Sequence, residues 1–113
     1  MEKVNEFEME FRGGDSGVKY LFRGPHTDWG VILLLPGQSL AEHYHEEVEE
    51  TFYFAEGGGT ITVDGVPHEA RQGDAYRLVA PERHEIANDT DQPTKLVFIK
   101  YPYRPKDKVS VEK

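Results

Sequence analysis

Gly37-Gln38-Ser39-Leu40-Ala41-Glu42-His43-Tyr44-His45-Glu46-Glu47-Val48-Glu49-Glu50-Thr51-Phe52-Tyr53-Phe54-Ala55-Glu56-Gly57 is the stretch that decides the fold. His43 and His45 are separated by one residue. On a β-strand, alternate residues point to one face, so both imidazoles can enter the same space. On a helix, residues two apart do not share a face, so a helix over Leu40 to Glu50 would waste the pair. Glu50 follows with Phe52 and Phe54 on its own face, and two aromatics there mark that face as interior. Glu49 is a rival carboxylate, but it shares its face with Thr51 and Tyr53, a more mixed set. Imidazoles with a carboxylate make a nitrogen and oxygen ligand set suited to divalent iron, manganese, nickel, zinc or copper. A second strand carrying His84 could close such a site from the side.

Outward from this stretch, strand signals dominate. Tyr20 to Phe22, Trp29 to Leu35, Thr51 to Phe54, Thr60 to Val63 and Lys95 to Tyr101 are rich in β-branched and aromatic residues. Glycine-containing turns lie between them, among them Pro36-Gly37, Gly57-Gly58-Gly59 and Gly73-Asp74. Asp64-Gly65, between Thr60–Val63 and Val66–Ala70, has the chemistry of a two-residue hairpin turn, which needs positive φ. Many short, regularly spaced strands point to an all-β sandwich or barrel.

At 113 residues the chain is one domain, with room for one core. We expect a barrel core over about 18–101, an N-terminal strand or arm over 1–12 and a C-terminal arm over 102–113. The net charge of −8 disfavours nucleic-acid and anionic-membrane partners, which both select a basic face. The absence of cysteine excludes disulfides, thiolate metal sites and cysteine nucleophiles. The start of the chain has no apolar signal core, and the longest apolar run, Val31 to Pro36, is too short to span a bilayer. The expectation is a cytoplasmic protein.

The two histidine-bearing segments resemble the two motifs of the cupin superfamily. In the first, a glycine is followed by five residues, His-x-His, a short gap, a glutamate, six residues and a glycine. Gly37, His43, His45, Glu50 and Gly57 fill every fixed position. The second reads Gly73-Asp74-Ala75-Tyr76-Arg77-Leu78-Val79-Ala80-Pro81-Glu82-Arg83-His84-Glu85-Ile86-Ala87-Asn88. Its glycine, histidine and asparagine fall at the family spacing. Val79 stands at the proline position and Pro81 at the glycine position, so the turn before His84 should differ in shape. The resemblance implies a double-stranded β-helix, or jelly-roll, barrel. It also implies one divalent transition metal ion (Fe, Mn, Ni or Zn) held by His43, His45, His84 and Glu50.

Alternation with the ligand positions makes Phe52, Phe54, Ile86 and Phe98 candidate pocket walls. Tyr76 and Arg77 are neighbours on a strand, so one of them points inward. Arg77 could anchor an anionic substrate or pair with the acidic surface. His26 and His68 match no motif position and are expected on the surface. Glu46, Glu47 and Glu49 read as a solvated acidic loop.

A family of this kind names a scaffold rather than a reaction. An open mixed-ligand metal site with apolar walls favours dioxygenase-type oxidoreductase chemistry on a small molecule that chelates through oxygen. The alternatives are a non-catalytic binding domain for a small metabolite or sugar, and a sugar isomerase or epimerase. The family, and the apolar Val4, Phe7, Met9 and Phe11, together point to a homodimer.

Overall fold

The computed structural model describes residues 1–111. Its strands are β1 Gly17–Arg23, β2 Asp28–Leu34, β3 Ser39–His45, β4 Glu49–Glu56, β5 Gly59–Val63, β6 Val66–Ala70, β7 Ala75–Leu78, β8 His84–Ala87, β9 Thr94–Tyr101 and β10 Lys108–Ser110. They form two five-stranded sheets, ordered β1-β2-β9-β4-β7 and β10-β3-β8-β5-β6. Every strand pair is antiparallel. The architecture is the double-stranded β-helix barrel that the motifs imply. Among the described residues, no helix is long and apolar enough to cross a membrane.

The core follows from strand alternation. On β4, Glu50, Phe52 and Phe54 are buried, while Thr51 and Tyr53 face outward. Ile32, Leu34, Ile61, Leu78, Ile86, Leu96 and Phe98 meet them between the sheets. Each such side chain contributes roughly 1.5–3 kcal/mol by leaving water. The β5–β6 hairpin turns at Asp64 and Gly65, with φ of 48° and 81°. Both values are positive, as the hairpin turn requires, and the residue pair supplies them at low steric cost.

The N-terminal segment is the arm rather than the strand of the two expected forms, and the C-terminal segment departs from expectation. Residues 1–12 form no strand. Asn5 accepts the Phe7 N–H at 2.9 Å and caps a short 3-10 turn, Glu6–Glu8. That turn packs on the outside of the barrel. Lys19 Nζ donates to the Glu6 carbonyl at 2.6 Å, and Lys95 Nζ pairs with the Glu6 carboxylate at 2.5 Å. Two strand lysines thus hold the segment against its own sheet.

The C-terminal arm is part of the barrel. Within it, β10 pairs with β3, setting Lys108 opposite His45 and Ser110 opposite His43. The strand therefore lies beside the histidine pair. Residues 112 and 113 of the expected arm lie outside the described residues.

Candidate metal centre

Strict alternation along β3 would put His43 on the face opposite Leu40. The ladder with β8 shows why it is not there. Leu40 pairs with Ile86 and His43 with His84, so two residues, Ala41 and Glu42, oppose Glu85 alone. This β-bulge reverses the parity of the strand, and Leu40, His43 and His45 all end on the inner side. The bulge also presents the Ala41 carbonyl to His43 Nδ1, 2.9 Å away. The His43 ring is thereby fixed with Nε2 pointing inward.

His84 reaches the same space from β8. The turn before it departs from the family pattern at Val79 and Pro81, yet it is well tied. Glu82 N–H donates to the Val79 carbonyl at 2.9 Å, and the Glu82 carboxylate accepts Val79 N–H at 2.8 Å. Asp64, in the β5–β6 turn, accepts Arg83 N–H at 2.8 Å and donates its own N–H to the Arg83 carbonyl at 2.8 Å. His84 Nδ1 then lies 3.2 Å from the Glu82 carbonyl. Phe52 supports the ring, with centroids 5.6 Å apart.

Glu50 completes the group from β4. Its Oε1 lies 2.9 Å from His45 Nε2, 3.4 Å from His84 Nε2 and 3.7 Å from His43 Nε2. One ligand atom from each of the four residues falls within 4.8 Å of the others. All four residues are at most 4% exposed.

The chemistry of these donors fits a metal ion. His43 and His84 direct Nδ1 at backbone carbonyls, which only an N–H can satisfy. In the neutral rings Nε2 is then a bare lone pair, facing a carboxylate that can only accept. His84 Nε2 is buried without a hydrogen-bond partner. Lone pairs converging in a dry space need protons or a cation between them. Burial opposes protonation, and it pulls the His43 pKa below its ordinary value. Burial alone would push the Glu50 carboxyl up. The three imidazoles, helped by the Lys100 charge, outweigh that and hold it well below the usual range. The Glu50 carboxylate is therefore ionised and the His43 ring favours its neutral form, as metal ligands must.

Asp107 supports the centre from the loop before β10. Its carboxylate accepts the N–H groups of Glu46, Glu47 and Val48 at 2.9–3.2 Å. It thereby pins the loop joining His45 to Glu50. Its Oδ2 also lies 3.7 Å from His45 Nδ1.

A cleft with about 50 Å³ of free space opens beside His43 and Glu50, walled by Val18, Tyr20, Ile32, Leu40 and Phe98 and bordered by Arg12, Lys100 and Lys108. Of the expected pocket walls, Phe98 lines it. Phe52, Phe54 and Ile86 are fully buried in the core instead. Arg77 does not reach the cleft. Its side chain is 71% exposed and lies 3.8 Å from Glu49, so it pairs with the acidic surface. Tyr76 is the residue of that pair that packs inward, against the core beside Phe54. His26 and His68 are exposed.

Sequence reasoning passed over Lys100, Tyr20, Arg12, Lys108 and Asp107. For Lys100 a signal existed. Thr94, Leu96, Phe98 and Lys100 alternate on one face of β9, and three of the four are fully buried.

The family model described as "Cupin domain" matches residues 30–100. The chain belongs to the cupin family. As a cupin it is similar to Protein SchB of Streptomyces halstedii, with 35% identity over 77 residues, covering 68% of this chain and 56% of that one. It is also similar to the tetracenomycin polyketide synthase protein TcmJ of Streptomyces glaucescens, with 32% identity over 77 residues, covering 68% of this chain and 52% of that one. The chain thus spans about half the length of these curated relatives. A crystal structure of a double-stranded β-helix protein from Klebsiella pneumoniae superposes with a TM-score of 0.84 at 18% identity, covering 100% of this chain and 99% of that one. That likeness concerns the fold.

Proposed function

We propose that this cupin is a metal-dependent oxidoreductase of dioxygenase type, acting on a small molecule that chelates the metal through oxygen atoms. The observation that carries this reading is the buried convergence of three imidazole nitrogens and the Glu50 carboxylate beside an open cleft. A divalent ion held by His43, His45, Glu50 and His84 would keep a net charge of about +1 and about two free positions, supplying Lewis acidity and, if redox-active, electron exchange with dioxygen. Dioxygen is the oxidant, and both its atoms enter the product.

The chain's own residues do the rest. Tyr20, Ile32, Leu40 and Phe98 exclude bulk water and limit the size of the ligand. Low water content strengthens every charge interaction inside. The name of the relative TcmJ places that protein in polyketide synthesis. A compact organic acid, polyketone or phenol, with adjacent oxygen functions, is the kind of molecule such a centre would take.

Protein purified without chelators should carry about one transition metal ion per chain by elemental analysis. The loaded protein should consume oxygen with some member of a panel of small diketones, phenols and organic acids. Ligand binding without oxygen uptake or product across the panel would replace this reading with a binding domain. The full complement of four ligand side chains disfavours a metal-free epimerase.

We further infer a homodimer. Val4, Phe7, Tyr53, Ile99 and Tyr101 leave large apolar side chains exposed, Phe7 at 82%. A second copy covering some of them would remove that surface from water. Light scattering at micromolar concentration should give twice the chain mass; a monomer would overturn the inference.

A further inference from the structure

Three cations border the cleft in a chain whose net charge is −8. Lys100 is the best held of them. Its Nζ donates to the Tyr20 hydroxyl at 2.9 Å. It also lies 5.4 Å from the Tyr20 ring centroid and 5.6 Å from that of Phe98. The ammonium is steadied between two aromatic rings rather than free in solvent.

Two carboxylates stand across the ladder from Lys100, and neither forms an ion pair with it. Asp28, on β2, lies 3.6 Å from Arg23 Nε. Glu50, on β4, turns its Oε1 to the three imidazoles. No carboxylate lies within ion-pair distance of Lys100 among the described residues. A metal at the centre would occupy the Glu50 charge as well. Arg12 and Lys108 add positive charge at the mouth, and Arg12 sits 5.5 Å from the Tyr20 ring centroid. A half-buried ammonium with no carboxylate at ion-pair distance gains from a ligand that brings one.

We propose that Lys100, oriented by Tyr20 and backed by Arg12 and Lys108, is an anion-binding subsite, and that the ligand class is a small organic acid. One end of the acid chelates the metal through oxygen, and a carboxylate further along meets Lys100. This inference rests on the metal-centre reading above. It adds that the ligand is anionic at a second point, and it moves the anchoring role from Arg77 to Lys100. The charge-assisted hydrogen bond gives direction as well as attraction.

The test uses two probes with the same chelating end. Malate carries a 2-hydroxy acid and a distal carboxylate; 2-hydroxybutyrate carries a methyl group in place of the distal carboxylate. Calorimetric titration of the metal-loaded wild-type protein should show malate binding at least about tenfold more tightly. Lys100→Met should remove that advantage while the metal content stays at the wild-type level, and Lys100→Arg should keep most of it. Equal affinity of the two probes in the wild type overturns the inference, and that comparison needs no variant. So does a Lys100→Met protein that keeps the malate advantage. Failure of the wild-type protein to take up metal would overturn the metal-centre reading and this inference with it. Metal uptake without malate preference overturns this inference alone.

Discussion

Lys100 stands directly across the β4–β9 ladder from Glu50, and Asp28 stands across from Lys100 on the other side. With Arg23 opposite Asp28, a row of alternating charge runs over four adjacent strands into the candidate metal centre. The row places a fixed cation beside the one anionic ligand. For an incoming cation this lysine is an opposing charge. Lys100→Met should therefore raise metal affinity, by up to about tenfold for a partly solvated pair. Competition against a chelating dye measures it, and a loss of affinity would contradict the charge row.

Glu50→Gln keeps size and removes the charge. Metal affinity should fall by at least about a hundredfold, because the remaining ligands are neutral and the buried cation loses its counter-charge. Metal content after dialysis reads this directly. Full occupancy and full turnover in the variant would show that the carboxylate is not a ligand.

Asp107→Asn tests support from outside the ligand set. The amide keeps one acceptor oxygen but loses the charge that gathers three backbone N–H groups before Glu50. Loss of such a supporting contact commonly costs about 10–100-fold in metal affinity. A metal titration with wild-type affinity would leave Asp107 as a loop clamp only.

The Asn88 position of the second motif is structural in this chain. Its amide donates to the carbonyls of Leu34 and Gln92, both at 2.8 Å, and its oxygen accepts from the Thr90 N–H and hydroxyl. All four hydrogen-bonding positions are used, and they tie the end of β8 to the end of β2. Asn88→Ala orphans these partners and should lower unfolding free energy by about 2 kcal/mol or more in urea denaturation, with metal stoichiometry unchanged. A change below about 0.5 kcal/mol would contradict it.

Much of the fold was legible because the core obeys simple alternation. Glu50, Phe52 and Phe54 were read as one interior face, and they are. The choice of Glu50 over Glu49 rested on that face, and Glu49 indeed pairs with Arg77 at the surface. The joint inward aim of Leu40 and His43 was not legible, because a bulge leaves no mark in residue type. Phe52, Phe54 and Ile86 are interior as alternation required, but the core fills its own space and leaves the cleft to other strands. Residues 1–12 left strand and arm both open, because apolar content alone does not say what the segment packs on. Their partners are Lys19 and Lys95, whose roles no local pattern shows. Asp107 lies 57 residues after Glu50 in sequence and carries no motif. Lys100 was missed for a different reason: a lysine at a strand end defaults to the surface unless its periodicity is followed to the last residue.

His43→Ala separates the metal from the barrel. The wild-type protein should lose thermal stability when its metal is stripped by a chelator, since an ion that binds the folded state alone stabilises it by mass action. His43→Ala should begin at the stripped protein's midpoint and show no further chelator effect. A chelator-sensitive midpoint retained in the variant would place the ion elsewhere.

Anomalous diffraction from crystals of protein purified without chelators tests the metal centre most directly. The expected result is one strong peak per chain, at about 2.0–2.3 Å from Nε2 of His43, His45 and His84 and from a Glu50 carboxylate oxygen. Zinc or nickel in place of iron or manganese would still agree, because such sites hold those ions more tightly. No peak there after supplying each of these ions, or a peak with His84 turned away or Glu49 as ligand, would contradict it.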